Sequence, residues 1–512
     1  MRITHRIPTF VTALGLTLAT LVLPSPGQAV EAPAEILIDP AGNPFGSFGR
    51  EVQVQGDHML IGANGADNQG AVFALRKNGT DWIPAQKFTG STTAQGDFFG
   101  FTIDLDGDQV AVGAQQDDDM GSQSGSVFLF EWDGNAWNET ATIVAPDGDD
   151  QDRFGSAIAL SGDLLIVGSS ADEPGGVTFA GSVYTFLKVS GTWTFEQKFS
   201  GSQVSDGDQF GWDVDTDGEV IIVSAIEDGI GALDTGVLSA FERVGGVWTE
   251  VQRFTAAGLG DGDNFGWDLD LENSRLAVGA PQHAGTGAVF LFERQGGVWV
   301  EADKVVSAST TAGDALGWSV DLQYPILVAG APGKAGVPPS PAGQGDGAVF
   351  KWNFNGVQWA DVNHWVSQDT NVTGFPLPQL GMSVALNGQT AIGGAPFANT
   401  TVASAAGKAY RFDSKPIGFE IETPTVIAGQ NATLSIYGGQ PNMPYGLALV
   451  GINGAPYPAL IVTQANLDNE GQITIDAPSP ISFAGLNLQL VAGALWQPGL
   501  IGISTQQTIT IQ

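Results

Sequence analysis

Gly100-Phe-Thr-Ile-Asp-Leu-Asp-Gly-Asp-Gln-Val-Ala-Val-Gly113 is the stretch that decides how this chain folds. On either side of Gly107-Asp108 it alternates apolar and polar residues, the pattern of two short strands joined by a two-residue turn. The same hairpin is written seven times. It opens at Gly49, Gly100, Gly155, Gly211, Gly266, Gly317 and Gly381, and thirteen residues later reaches Gly62, Gly113, Gly168, Ser224, Gly279, Gly330 and Gly394. Successive copies start 51, 55, 56, 55, 51 and 64 residues apart. A fixed core with variable connections marks a repeat architecture. Seven residues into each copy stands the turn: Gly56, Gly107, Gly162, Gly218 and Gly388, with Asn273 and Tyr324-Pro325 as exceptions. Glycine takes the positive φ such a turn needs, asparagine tolerates it, and Tyr324-Pro325 requires another turn.

Each hairpin is followed by a third strand, as in Gly125-Ser-Val-Phe128 and Gly287-Ala-Val-Phe290, and then by a fourth that opens on Trp82, Trp137, Trp193, Trp248, Trp299 or Trp359. Four antiparallel strands (A to D) per repeat make one propeller blade, with the tryptophans expected to pack between blades. The seventh repeat stops at Arg411-Phe412, one strand short. Glu35-Ile-Leu-Ile-Asp39, ahead of the first hairpin, is expected to supply that strand and close the ring. After Pro416 the repeat phase is lost. Alternation continues in Ala432–Tyr437, Leu447–Val450, Gln472–Ile475, Leu486–Val491 and Thr508–Ile511, which suggests a small β-sandwich. The expected fold is all-β: a seven-bladed β-propeller of four-stranded blades over 30–413, followed by a small immunoglobulin-like β-sandwich over 414–512.

Composition agrees. The chain has 71 glycines in 512 residues and no sustained helical period. Arg2 and Arg6, an apolar run from Phe10 to Leu23 and the exit Gly27-Gln28-Ala29 read as a secretory signal over 1–29. Fourteen apolar residues are too few for a comfortable membrane span. The formal charge of -36 becomes -38 once those two arginines are removed. So acidic a chain repels nucleic acid and anionic membranes. With no cysteine it has no disulfides, and an exported, monomeric protein must then depend on sheet closure and core burial.

Phe-Gly followed by Gly279-Ala280-Pro281, Gly330-Ala331-Pro332 and Gly394-Ala395-Pro396 resembles the FG-GAP repeat of the integrin α-chain propeller, and more closely its bacterial secreted branch. The resemblance covers roughly residues 34 to 413. It implies calcium in a nine-residue acidic loop between strands A and B, but a two-residue turn leaves no room for one. No firm cofactor is therefore expected, and calcium would have to bind elsewhere.

Tight turns occupy one face of the disc and the long B–C and D–A connections the other, so binding is expected on the second face. Its acidic loops carry Asp117, Asp118, Asp119, Asp172, Glu173, Glu227, Asp228 and Asp234, with a further long loop at Ala331 to Asp346. Three residues before the hairpin glycine stand Asp97, Asp152, Asp208, Asp263 and Asp314, which either fix their own turns or hold calcium. Asp104, Asp215, Asp270 and Asp321 in strand A should line the central channel, hydrated, paired to neighbouring backbone or holding a cation. Trp212, Trp267 and Trp318 beside them either pack between blades or stack on a sugar or cation. His58, His283 and His364 share no repeat position, and neither a Gly-x-Ser-x-Gly elbow nor a phosphate loop is present. The sequence therefore points to a secreted or cell-surface, non-enzymatic binding or adhesion module for a protein or glycan. The alternatives are a passive envelope component, with a flat solvated face, and a hydrolase or lyase, with a concave pocket of shifted carboxylates.

Overall fold

A computed structural model of the chain describes residues 33–413 except 231–233, 336–344, 368–377 and 401–405, and beyond 413 only the backbone of eight strands. The signal segment and most of the Ala331 to Asp346 loop lie outside the described residues. Residues 33–413 form seven four-stranded antiparallel sheets. Blade two shows the plan, with strands A to D at Ile103–Asp106, Gln109–Ala114, Ser126–Trp132 and Trp137–Ile143. Blade seven takes its outer strand from the other end of the chain: Glu35–Leu37 runs antiparallel to Lys408–Asp413, pairing Glu35 with Arg411 and Leu37 with Ala409. Among the described residues there is no α-helix, only 3-10 turns at Ala66–Asn68, Pro174–Gly176 and His283–Gly285, and no helix long and apolar enough to cross a membrane.

The constant spacing of thirteen has a direct cause. The N–H of the first mark donates to the carbonyl of the second in the same hairpin, as in Gly155 to Gly168 at 3.0 Å and Gly381 to Gly394 at 2.9 Å. The second mark then presses on the next blade. A Cβ at Gly62, Gly113 or Gly168 would lie 2.3, 2.4 or 2.3 Å from the carbonyl oxygen of Gly100, Gly155 or Gly211. Blades therefore meet backbone to backbone at the hub. Asn273 takes φ 57° at its turn, and the Tyr324-Pro325 peptide is cis.

Between blades the residues just before the hairpin glycines, Phe48, Phe99, Phe154, Phe210, Phe265, Leu316 and Leu380, are all at most 1% exposed. Phe99 meets Phe128 edge-on with centroids 5.4 Å apart. Of the strand D tryptophans, Trp82, Trp137, Trp248 and Trp299 are buried, while Trp193 and Trp359 are half-buried. Farther out, the Gln86 amide brackets the Trp137 backbone, accepting its N–H at 2.8 Å and donating to its carbonyl at 2.9 Å. Gln197 does the same to Trp248, and Gln252 to Trp299.

Beyond the propeller the backbone forms two antiparallel sheets. One joins Gly418–Glu420, Thr433–Tyr437 and Gln472–Thr474. The other orders Ala455–Asn466, Pro444–Ile452, Asn487–Gln497 and Leu500–Ile501, with Thr505–Thr510 also on Asn487–Gln497. Ala455–Asn466 is a strand that Pro456 and Pro458 disguise as a turn. It lies at a sheet edge, where proline is tolerated.

Candidate functional site

Strand A is the innermost strand of every blade, and its first residues stand at the long-loop face. There the seven strands surround a cavity of about 410 Å³. The residue after each hairpin glycine forms its mouth: Arg50, Phe101, Ser156, Trp212, Trp267, Trp318 and Met382. The three tryptophans are half-buried and climb the wall like steps, with ring centroids 4.8 Å apart from Trp212 to Trp267 and 4.6 Å from Trp267 to Trp318. The Trp212 indole N–H donates to the Trp267 carbonyl at 3.1 Å, which fixes the tilt of the pair. Opposite, the Arg50 guanidinium lies 4.2 Å over the Phe101 ring. The mouth is thus aromatic on one side and cationic on the other.

Below it the wall is acidic. Six channel aspartates reach across to the next blade, and each accepts a strand A backbone N–H that has no ladder partner. Asp104 accepts from Leu160 at 2.6 Å, Asp213 from Leu269 at 2.7 Å, Asp215 from Leu271 at 2.5 Å, Asp268 from Val320 at 2.6 Å and Asp321 from Leu386 at 2.7 Å; Asp270 accepts from Leu322. Between blades seven and one Ser383 Oγ takes the Val52 N–H at 2.8 Å, whereas blade three carries Ala157 and Ala159 at these positions. These side chains pair with neighbouring backbone and satisfy the inner edge of the ring. Glu51, Asp213 and Asp268, two residues past the glycine, are not singled out by the sequence; the alignment of repeats that marks Asp104 at the fourth position marks them at the second.

Burial pushes Glu51, Asp213 and Asp321 up to about 7 and Asp104 up to about 6. It holds Asp215, Asp268 and Asp270 well above the usual carboxylate range, with nearby carboxylates adding to the effect. The folded protein therefore keeps protons that the unfolded chain has already lost. Stability from these groups is greatest below the unfolded carboxylate range, near pH 4, and falls as pH rises toward 7. At the acid end Asp147 and Glu196 work the other way, because burial is outweighed by Lys198 in one and by Arg243 in the other. The melting temperature should rise on going from pH 8 to about pH 5.5. Asp321→Asn, which keeps an oxygen for the Leu386 N–H, should raise it at pH 8 by roughly 2 °C and flatten that slope. A thermal scan at five pH values checks both; a melting temperature that climbs with pH would refute this account of the channel.

The other expected site residues divide. Asp97, Asp152, Asp208, Asp263 and Asp314 each accept the N–H three residues earlier, at 2.5 to 2.7 Å, and so fix their own turns. Of the loop acids, Asp117, Asp172 and Asp228 are buried, whereas Asp118, Asp119, Glu173, Glu227 and Asp234 are exposed. Among the described residues no three histidine or acidic side chains gather as a group able to hold a metal ion. His283 Nδ1 sits 2.7 Å from Asp263, His58 packs on Trp132 and Trp137, and His364 is buried against Phe350; all three lie away from the central cavity.

Comparison with known proteins gives the fold a family signature. No curated protein matches the chain. Among solved structures, a chain of "Crystal Structure of Mitotic Checkpoint Complex" aligns over 79% of this chain and 99% of its own, at 12% identity and a TM-score of 0.45, too distant to carry a functional argument. The FG-GAP repeat family matches in four places, residues 82–130, 137–186, 193–241 and 248–292. Each match begins at a strand D tryptophan and runs through strands A, B and C of the next blade. These four copies, in phase with seven blades built alike, support an FG-GAP repeat protein.

Proposed function

We propose that the chain is an exported, non-enzymatic binding module of the adhesion type, taking a protein or glycan ligand on its long-loop face at the central funnel. The observation that carries this reading is the mouth itself: three half-exposed tryptophans face Arg50 above a cavity of about 410 Å³. Concave sites that pair aromatic walls with a few convergent polar groups are the usual form of a ligand pocket. A rigid disc presents them without ordering cost on binding. Screening the purified protein on a glycan array, alongside a pull-down from matrix and surface proteins, identifies the ligand. Trp267→Ala should weaken its binding roughly tenfold while leaving the melting temperature nearly unchanged. Undiminished binding by that variant would remove the funnel from the reading.

One observation favours the hydrolase or lyase alternative, since a concave pocket with raised carboxylates is what such an enzyme requires. Against it, Asp104, Asp213 and Asp215 spend both oxygens on backbone N–H groups. Release of shortened sugars from array-positive glycans over hours, abolished by Asp321→Asn, would favour the enzyme.

A further inference from the structure

Blades two to six repeat a small constellation on the long-loop face, away from the funnel. It combines the turn-fixing aspartate, the residue four past the second hairpin mark, and a strand D side chain opposite the first aromatic position of strand C. In blade three these are Asp152, Asp172 and Lys198. The Lys198 ammonium lies 2.8 Å from Asp172 and 4.9 Å over the Tyr184 ring. In blade four Arg253 lies 2.6 Å from both oxygens of Asp228. In blade five Lys304 lies 5.5 Å over Phe290 and 3.3 Å from His283, which in turn meets Asp263. In blade six the cation comes from the loop, as Lys334 lies 3.1 Å from Asp314 and 6.0 Å over Phe350.

Blade two has the acids without the cation. Its pair is Asp97 and Asp117, and opposite Phe128, in the register that places Lys198 opposite Tyr184, stands Thr142. Asp117 is only 1% exposed; it accepts the Asp119 N–H at 2.9 Å and has the Ser126 hydroxyl beside it, but among the described residues no cation pairs with it. Among the described residues no cation lies over the Phe128 ring, although Phe73, Tyr184, Phe290 and Phe350 each carry a lysine. Thr142 is exposed and turns its hydroxyl toward Glu139 at 3.2 Å, so strand D sends no cation across the acids of this blade.

We infer that blade two receives a primary ammonium group from outside the chain, the end of a small alkylamine or of a partner's lysine, seated beside Asp117 and over Phe128. An ammonium suits the site better than a metal ion, because one face is an aromatic ring and no metal-holding group of three acids or histidines is present among the described residues. Burial, with Asp119 and Asp97 adding to it, pushes Asp117 up to about 6. At neutral pH and above it is therefore ionised and, among the described residues, without a paired cation. The strongly acidic chain draws cations toward this face.

The test is a thermal shift of the full chain at pH 8 and fixed ionic strength, with n-butylammonium chloride replacing sodium chloride. A saturable rise of about 2 °C is expected in the native protein, absent in Asp117→Asn. Thr142→Lys should raise the melting temperature by itself and abolish the response. A lysine tripeptide binding at least tenfold tighter than n-butylammonium, with the leucine tripeptide inert, identifies a partner's lysine as the source; equal binding identifies the free amine. An equal shift with calcium, no shift with either amine, or a full response retained by Asp117→Asn overturns the inference. Should Thr142→Lys fail to fold, the Asp117→Asn comparison decides alone.

Discussion

Replacing Gly279 with alanine is expected to lower the melting temperature by roughly 5 °C, corresponding to a loss of about 3 kcal/mol. The added Cβ would lie 2.0 Å from the Gly317 carbonyl oxygen, 3.0 Å from its carbon and 3.5 Å from its Cα. All three are backbone atoms of the next blade, so no side chain can swing aside. The contact can be relieved only by separating blades five and six at the hub. Gly296→Ala is the control. Gly296 sits at an open C–D turn with φ 61° and nothing within 4 Å of an added Cβ, so its loss of about 1 kcal/mol measures positive φ alone. Gly279 needs no such conformation, so equal losses at the two positions would sink the close-approach account. Ser224 shows what the ring does when glycine is absent. Its Oγ accepts the Asp213 N–H at 3.0 Å, and it faces Gly266, where an added Cβ would come within 2.8 Å of the serine's own. Glycine on the opposing strand makes room for the side chain.

Deleting residues 30–40 should have an effect of similar size, lowering the melting temperature by roughly 5 °C or more. Three kinds of support leave together. The ladder on Lys408–Asp413 is lost, Leu37 no longer covers the core at 6% exposure, and Arg411 loses Glu35 at 2.9 Å. Arg411 is itself only 7% exposed. A buried charge stripped of a partner costs about 3 kcal/mol or more. Asp413 at 3.1 Å and the Thr80 carbonyl remain to it, so Glu35→Gln alone should cost less than the deletion. The deletion also bares a strand edge, and faster aggregation on heating should accompany the lower midpoint. Calorimetry with light scattering reads both. An unchanged melting curve would show that the strand is dispensable to the ring.

Much of this molecule can be read from residue order, because a repeat states its structure several times. The hairpin marks, the turn glycines and the short seventh repeat are local signals, and each maps onto a strand or turn where the spacing puts it. The site is less legible for a physical reason. Asp117, Asp172 and Asp228 look like loop acids offered to solvent, yet they are buried and, in blades three and four, bound to a strand D cation 25 or 26 residues farther on. Pairing over that distance depends on how a blade curls back on itself, which alternation alone does not specify. The mouth shows the opposite case. Trp212, Trp267 and Trp318 stand out by residue type, whereas Arg50 and Phe101 at the equivalent position do not, because a position filled by five residue types in seven copies carries little pattern.

The strand borrowed from the start of the chain also has a consequence in time. Glu35 and Arg411 are 376 residues apart. At a synthesis rate of about 5–20 residues per second, the first strand exists for on the order of 20–75 s before its partner is made. Through that interval every finished blade waits with its neighbours on an unclosed arc, and the last step of folding is the meeting of the oldest segment of the ring with the newest. A ring sealed in this order cannot lock before its final blade has been made.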